Sequence, residues 1–178
     1  MQKIMFNDKY GLTEAVLAKR KTQTRRIITE KEKLDSEGYH LKNRKVMRYQ
    51  PREIIAIAQS YADITNSVDW ATCMIRKEHK GWNNKMFVCA EDMPHHIRIT
   101  KIHIERLQDI SASDCLKEGI WSANNVGLEG TTYWYHGLAN SSFRTPQEAY
   151  ASLIDRISGK GTWERNPYVF VYEFKLID

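Results

Sequence analysis

The chain has few cysteines, which could cross-link it, and no long apolar run, which could hold it in a membrane. Only three of its 178 residues are cysteines, Cys73, Cys89 and Cys115, and no two of them form a CxxC pair. This spacing excludes a disulfide framework and predicts reduced thiols. Its apolar runs, such as residues 54–58, are far shorter than the roughly 20 residues that span a bilayer. Residues 1–6 lack the long apolar region of a secretory signal. We therefore expect a cytoplasmic protein with no membrane partner.

A metal site is also weakly supported. Zinc ligands could be assembled from Cys73, His79, Cys89 and either His95 or His96, but these spacings match no compact ligand pattern. We expect no metal and no other cofactor.

The length and the charge say more about function. With 42% hydrophobic residues the chain can bury a core, and its length favours one domain over residues 1–178. Residues 19–52 hold 12 Lys or Arg against 4 Asp or Glu, a balance of +8, whereas the whole chain carries only +5. Such a basic sector is typical of a protein that binds nucleic acid, a nucleotide or another phosphorylated partner. A solvated, flexible face is the alternative that charge alone leaves open.

The basic sector is densest at residues 19–26, called the basic motif below, where five cations and two threonines occupy eight positions. Cations at this density repel one another, so they must be solvated or must surround an anion such as a phosphate. Thr24 lies three residues after Lys21, close enough in a helical turn or tight loop for hydroxyl and ammonium to meet on one ligand atom. In the plainer alternative, Lys21 and Arg25 are exposed cations and Thr24 caps a turn.

Local patterns predict alternating strands and helices with two insertions. The apolar phase of the strand around Ile97–Ile104 changes at Thr100, which predicts a β-bulge there. Ser111 has the position of a helix N-cap, and Thr145 begins a second capped helix. The further elements that we predict are a strand at 4–6, a helix at 13–19, a loop at 28–46, a turn at 49–51, a strand at 53–58, a partly helical insertion at 62–85, a loop or hairpin insertion at 120–144 and a final strand at 168–177.

The second insertion carries the aromatic cluster 133–136. These side chains either pack as a satellite core or, beside a basic face, stack nucleic-acid bases. The elements together predict an α+β fold around a small curved sheet or β-barrel with flanking helices.

Four stretches of the chain carry a resemblance: AVLAKRKTQTRR, YQPREIIAI, IRITKIHIERLQDISASDCLKEGI and GKGTWERNPYVFVYEFKLI. Together they resemble the ASCH family of the PUA-like superfamily, in its larger, phage-associated form. The resemblance implies a small PUA-like β-barrel whose cleft receives RNA, nucleotides or modified nucleosides. The ligand-binding residues that it implies are those of the basic motif: Lys19, Arg20, Lys21, Thr22, Thr24, Arg25 and Arg26.

The resemblance also implies a possible activity. Similar proteins hydrolyse acylated nucleosides such as N4-acetylcytidine with a lysine, a threonine and a glutamate, which correspond here to Lys21, Thr24 and Glu118. A threonine hydroxyl needs a neighbouring base, and a lysine serves as one only if its pKa is lowered. In the plainer alternative, Glu118 is a solvated carboxylate at a helix end. The chain departs from the family pattern at residues 52–53, where Gly-Asp is usual, and at Gln59, where an acidic residue is common.

Three functions are thus open at the level of the sequence. The first is binding of RNA, a nucleotide or a modified nucleoside through a basic cleft. The second is an amidohydrolase that acts on an acylated nucleoside, and the third is a phage-type accessory module that binds another protein. The sequence leaves the oligomeric state open.

Overall fold

The computed structural model describes residues 1–28, 47–64, 78–124, 130–138 and 142–178. Predictions for residues 29–46, for Cys73 and the rest of 65–77, and for 125–129 and 139–141 lie outside these ranges. The strands are β1 (Lys3–Ile4), β2 (Gln23–Ile27), β3 (Ile54–Ile57), β4 (His96–Arg106), β5 (Trp121–Asn124), β6 (Thr131–Trp134) and β7 (Tyr168–Leu176). The helices are α1 (Leu12–Leu17), α2 (Tyr61–Ile64), α3 (Ala112–Lys117), α4 (Pro146–Ser158) and α5 (Thr162–Arg165).

The architecture is mixed α+β, as predicted. Within the described ranges, a five-stranded sheet has the order β1-β3-β4-β7-β2. β1 is parallel to β3, and the other neighbours are antiparallel. A separate hairpin joins β5 to β6, so the second insertion contains the hairpin that the sequence allowed.

The described sheet is open and is not the closed β-barrel that the resemblance implies. Its edge strands, β1 and β2, do not pair with each other in the part of the chain that the structure describes. β1 has only two residues, too few to form a second ladder of any length. On the side of β2, the Arg26 guanidinium donates to the carbonyl of Met5 at 2.8 Å. The Arg26 side chain therefore occupies a backbone carbonyl that an edge strand closing the barrel would use for its own hydrogen bonds.

The bulge in β4 is confirmed. The register of β4 against β7 shifts between Ile99 and Lys101. Ile97 and Ile99 before the bulge are fully buried, while Ile102 and Ile104 after it are only partly buried and pack against the core. One extra residue therefore explains why the apolar phase of this strand changes.

The predicted helix caps are also confirmed. Ser111 Oγ accepts from the amide of Asp114 at 3.1 Å at the start of α3. α4 begins with a reciprocal capping box between Thr145 and Glu148, so two amides that have no partner within the helix are satisfied. α4 places its apolar side in the main core, which also receives Tyr135 from the second insertion. That aromatic is therefore buried, but in the main core and not in the satellite core that the packing alternative predicted.

α2 and the 3₁₀ turns that follow it form a second, smaller core against β3. No helix in the described ranges has both the length and the apolar composition to cross a membrane.

Candidate functional site

The backbone after α1 turns Lys21 into the interior. Lys19 adopts a left-handed conformation with φ of 60°, and the amides of Arg20 and Lys21 both donate to the carbonyl of Ala15 at 2.9 Å. The amide of Thr22 then donates to the carbonyl of Lys117 at 2.9 Å. These bonds hold the start of β2 against the end of α3, and the Lys21 side chain is only 2% exposed.

Glu118 reaches the same place from the end of α3. Gly119 follows it with φ of 107°, and a Cβ at that glycine would lie 3.1 Å from Leu12 Cδ2. Glycine thus permits both the left-handed turn and the close approach of α3 to α1. The Glu118 side chain is 5% exposed, so the interpretation of this residue as a solvated carboxylate is wrong.

Two buried cations share the Glu118 carboxylate. Lys21 Nζ lies 2.5 Å from Glu118 Oε2 and also donates to the Glu118 carbonyl at 2.8 Å. Arg25 Nη1 lies 3.0 Å from the other carboxylate oxygen, Oε1. The alternative in which Lys21 and Arg25 are exposed surface cations is therefore wrong.

Arg25 extends this network to β4. Its Nε donates to Glu105 Oε1 at 2.8 Å, and its Nη1 contacts Gln23 Oε1 at 3.3 Å. Its Nη2 lies 3.8 Å from Asp114 Oδ2. The guanidinium is fully buried and is surrounded by carboxylates. Lys21 and Arg25 are thus neutralised by carboxylates of the protein itself, Glu118 and Glu105.

Burial changes the acid–base properties of the site. It lowers the pKa of Lys21 below its usual value; the Glu118 carboxylate opposes this, whereas the nearby charges of Arg26 and Arg25 reinforce it. Burial together with the Glu118 charge raises the pKa of the Tyr150 phenol well above its usual value. Tyr150 therefore stays a neutral hydroxyl, and Lys21 loses its proton more readily than an exposed lysine.

These residues line one cavity of about 780 Å³. Its volume is within the range of pockets that hold small organic ligands. Four buried residues of its lining that carry a polar group, Lys21, Thr24, Glu118 and Tyr150, are called the floor below. Buried Arg25 also belongs to the lining. The exposed cations of its lining, Lys9, Arg26 and Arg48, are called the rim.

The structure brings together all three predicted catalytic residues and part of the predicted binding set. Lys21, Thr24 and Glu118 line the cavity, as do Arg25 and Arg26. The other predicted ligand-binding residues, Lys19, Arg20 and Thr22, are not part of the lining. The Arg20 guanidinium instead lies 3.7 Å from the centre of the Trp121 ring, outside the cavity.

Sequence patterns did not identify Tyr150, Glu105 or Arg48. Tyr150 lies among the buried, mostly apolar residues of α4, and its hydroxyl is the signal of an additional polar role. Glu105 interrupts an isoleucine-rich strand, which indicates a buried partner. Arg48 belongs to the basic sector, but nothing local distinguishes it from the other cations there.

No group of three or more metal-ligating side chains is arranged to hold a metal ion in the described ranges.

In comparisons with known proteins, the chain matches no protein-family model, no curated protein and no solved structure.

Proposed function

We propose that the cavity binds a nucleoside-type ligand: a unit of RNA, a free nucleotide or a modified nucleoside. The observation that carries this proposal is that Lys21 and Thr24 of the basic motif and Glu118, which is 97 positions after Lys21, line one pocket of about 780 Å³. Buried polar groups that converge in a pocket of this size are the usual features of a ligand site.

The lining has the two kinds of surface that a nucleobase requires. Glu118 supplies a carboxylate acceptor, and Thr24 and Tyr150 supply hydroxyls that donate or accept. Apolar side chains of α4 and β7, among them Leu153 and Phe170, complete the wall. Apolar side chains cover the faces of a planar base, while its polar edge requires hydrogen-bond partners.

The same proposal extends to the fold family. We take the open sheet to be the described part of a PUA-like barrel of the ASCH type. The bulge in β4 supports this proposal, because a bulge bends and twists a strand as barrel closure requires. A crystal structure in which this sheet closes into a barrel is the expected result, and a flat, open sheet would contradict it.

Calorimetric titration tests the binding function. We expect at least one of the four common ribonucleosides or N4-acetylcytidine to bind the wild-type protein. Thr24→Val, which keeps the volume but removes the hydroxyl, should weaken that binding about tenfold, as expected for one lost hydrogen bond to a ligand. Thr100→Val, at an exposed position of β4, is the matched control. Absence of binding by every nucleoside would overturn the proposal.

A second candidate, the amidohydrolase, is favoured by the lowered pKa of Lys21. In this reaction, neutral Lys21 accepts the hydroxyl proton of Thr24 as the threonine oxygen attacks the acyl carbonyl. The carbon–nitrogen bond then breaks, and the departing amine takes the proton from Lys21. Water hydrolyses the acyl-threonine, which releases the carboxylic acid and restores the hydroxyl.

Chromatography of N4-acetylcytidine incubated with the protein tests the hydrolase. Acetate and cytidine should appear in equal amounts, and Lys21→Met and Thr24→Val should each abolish the reaction. Because the neutral amine is the active form, turnover should rise with pH through the lowered pKa of Lys21. Nucleoside binding without acetate release would leave only the binding function.

A further inference from the structure

The charged residues that line the cavity are unequally paired. Lys21 and Arg25 share Glu118, as described above, and Lys85 Nζ lies 2.7 Å from Asp8 Oδ1. These pairs account for both carboxylates in the lining. The three rim cations have no carboxylate within ion-pair distance in the described part of the chain.

Two of the rim cations, Arg26 and Arg48, line the same cavity and act on the same neighbour, Tyr49. The electrostatic effects of Arg48 and Arg26 both reach the Tyr49 hydroxyl, and the Arg48 guanidinium lies 5.5 Å from the centre of the Tyr49 ring. The one hydrogen bond of Arg26 to described residues, to the Met5 carbonyl, leaves most of its N–H groups available. Two arginines in one cavity lining, most of whose donors make no bond to described residues, form a site suited to a phosphate, which they bind through paired N–H bonds.

The rim and the floor are connected by one strand. Thr24 and Arg26 are two residues apart in β2 and therefore point to the same face of the sheet, about 7 Å apart along the strand. A ligand held by Thr24 at one end thus meets the arginines at its other end.

We propose that Arg26 and Arg48 form a phosphate subsite at the cavity rim, so that the preferred ligand is a phosphorylated nucleoside and not a free nucleoside. This inference rests on the proposed function, because it needs the base in the floor. The phosphate belongs either to a free mononucleotide or to a nucleotide unit of a polynucleotide chain, and both present the same anionic oxygens.

Calorimetric titrations with cytidine and cytidine 5′-monophosphate test the subsite, with the adenosine, guanosine and uridine pairs in parallel. For the base that binds best, the monophosphate should bind the wild-type protein at least about tenfold more tightly than the nucleoside, because charge-assisted bonds are the strong ones. In the double variant Arg26→Gln, Arg48→Gln this advantage should vanish, so that monophosphate and nucleoside bind equally tightly. Arg98→Gln removes an exposed arginine of β4 that is outside the lining and should keep the advantage.

A dinucleotide of the same base identifies the source of the phosphate. If its diester gives the advantage of the monoester, the subsite takes polynucleotide chains; if only the monoester does, it takes free mononucleotides. Both results support the subsite. Equal affinities for nucleoside and monophosphate in the wild type, or an advantage that survives in the double variant, would overturn it and leave the proposed function intact. Absence of binding by every nucleoside and nucleotide would overturn both.

Discussion

Arg25 and Arg26 are adjacent in the chain and chemically identical, yet the structure gives them opposite environments. Arg25 is fully buried between Glu118 and Glu105. Arg26 is exposed, donates to a backbone carbonyl and belongs to the rim. In a strand, successive side chains point to opposite faces, so a basic motif that becomes a strand sends alternate cations to different places. Local charge density alone therefore does not identify the cations that are available to a ligand.

The comparison also separates two roles of the basic motif. Its buried members, Lys21 and Arg25, connect β2 to the end of α3 through Glu118, and this contact forms the floor. The rim members form no ion pair with any carboxylate in the described part of the chain, so the described residues leave positive charge at the cavity. We infer that the buried network shapes the site and that the rim selects an anionic ligand.

Removal of the shared carboxylate should have the largest effect. Glu118→Gln leaves two buried cations without their common anion, which typically costs about 3–5 kcal/mol of unfolding free energy. Urea denaturation measures this loss. Glu164→Gln, at an exposed site in α5, should change the free energy by less than about 0.5 kcal/mol. Equal stabilities of Glu118→Gln and wild type would show that the network is not structural.

The matched pair Arg25→Gln and Arg26→Gln tests the comparison itself. Arg25→Gln should cost about 2–4 kcal/mol of unfolding free energy because Glu105 and Glu118 lose a buried partner. Arg26→Gln should cost less than about 1 kcal/mol, as is usual at an exposed position, and should weaken nucleotide binding instead. Denaturation and calorimetry on both variants separate these outcomes. Similar losses of unfolding free energy in the two variants would show that Arg25 and Arg26 do not differ in their structural role.

The smallest expected effect is a pH dependence. Because burial lowers the pKa of Lys21 below its usual 10.5, the unfolded chain holds more protons at this lysine than the folded chain between the two values. The free energy of unfolding of the wild type, relative to Lys21→Met, should therefore rise as the pH rises through that interval. Denaturation of both proteins at a series of pH values measures this difference. A constant or falling difference would contradict the direction of the shift.

Local chemistry made much of the fold predictable. The bulge at Thr100 followed from a change in apolar phase, and the helix starts at Ser111 and Thr145 followed from cap chemistry, which depends on residues only a few positions apart. The openness of the sheet did not follow, because strand closure depends on contacts between distant segments. The sequence supplied an α+β class and the order of its elements, but not the pairing of the edge strands.

The candidate site was predictable only in part, for the same reason. Lys21, Thr24 and Glu118 were chosen by resemblance, and the structure places all three in one cavity. The burial of Glu118 depends on the approach of α3 to α1 at Gly119, which no local pattern reveals. The rim residue Arg48 lies in the lining although it is 21 positions after Ile27, which ends β2.

The most direct test of the central claim is whether a nucleotide enters the cavity beside Thr24. Nuclear magnetic resonance of protein labelled at threonine methyl groups can follow this, with the Thr24 signal assigned by its loss in Thr24→Ser. On titration with cytidine, adenosine, guanosine or uridine 5′-monophosphate, at least one nucleotide should shift the Thr24 methyl signal. The signal of Thr162, which is fully buried in α5 and outside the lining, should stay in place. An unmoved Thr24 signal with all four nucleotides would contradict the account.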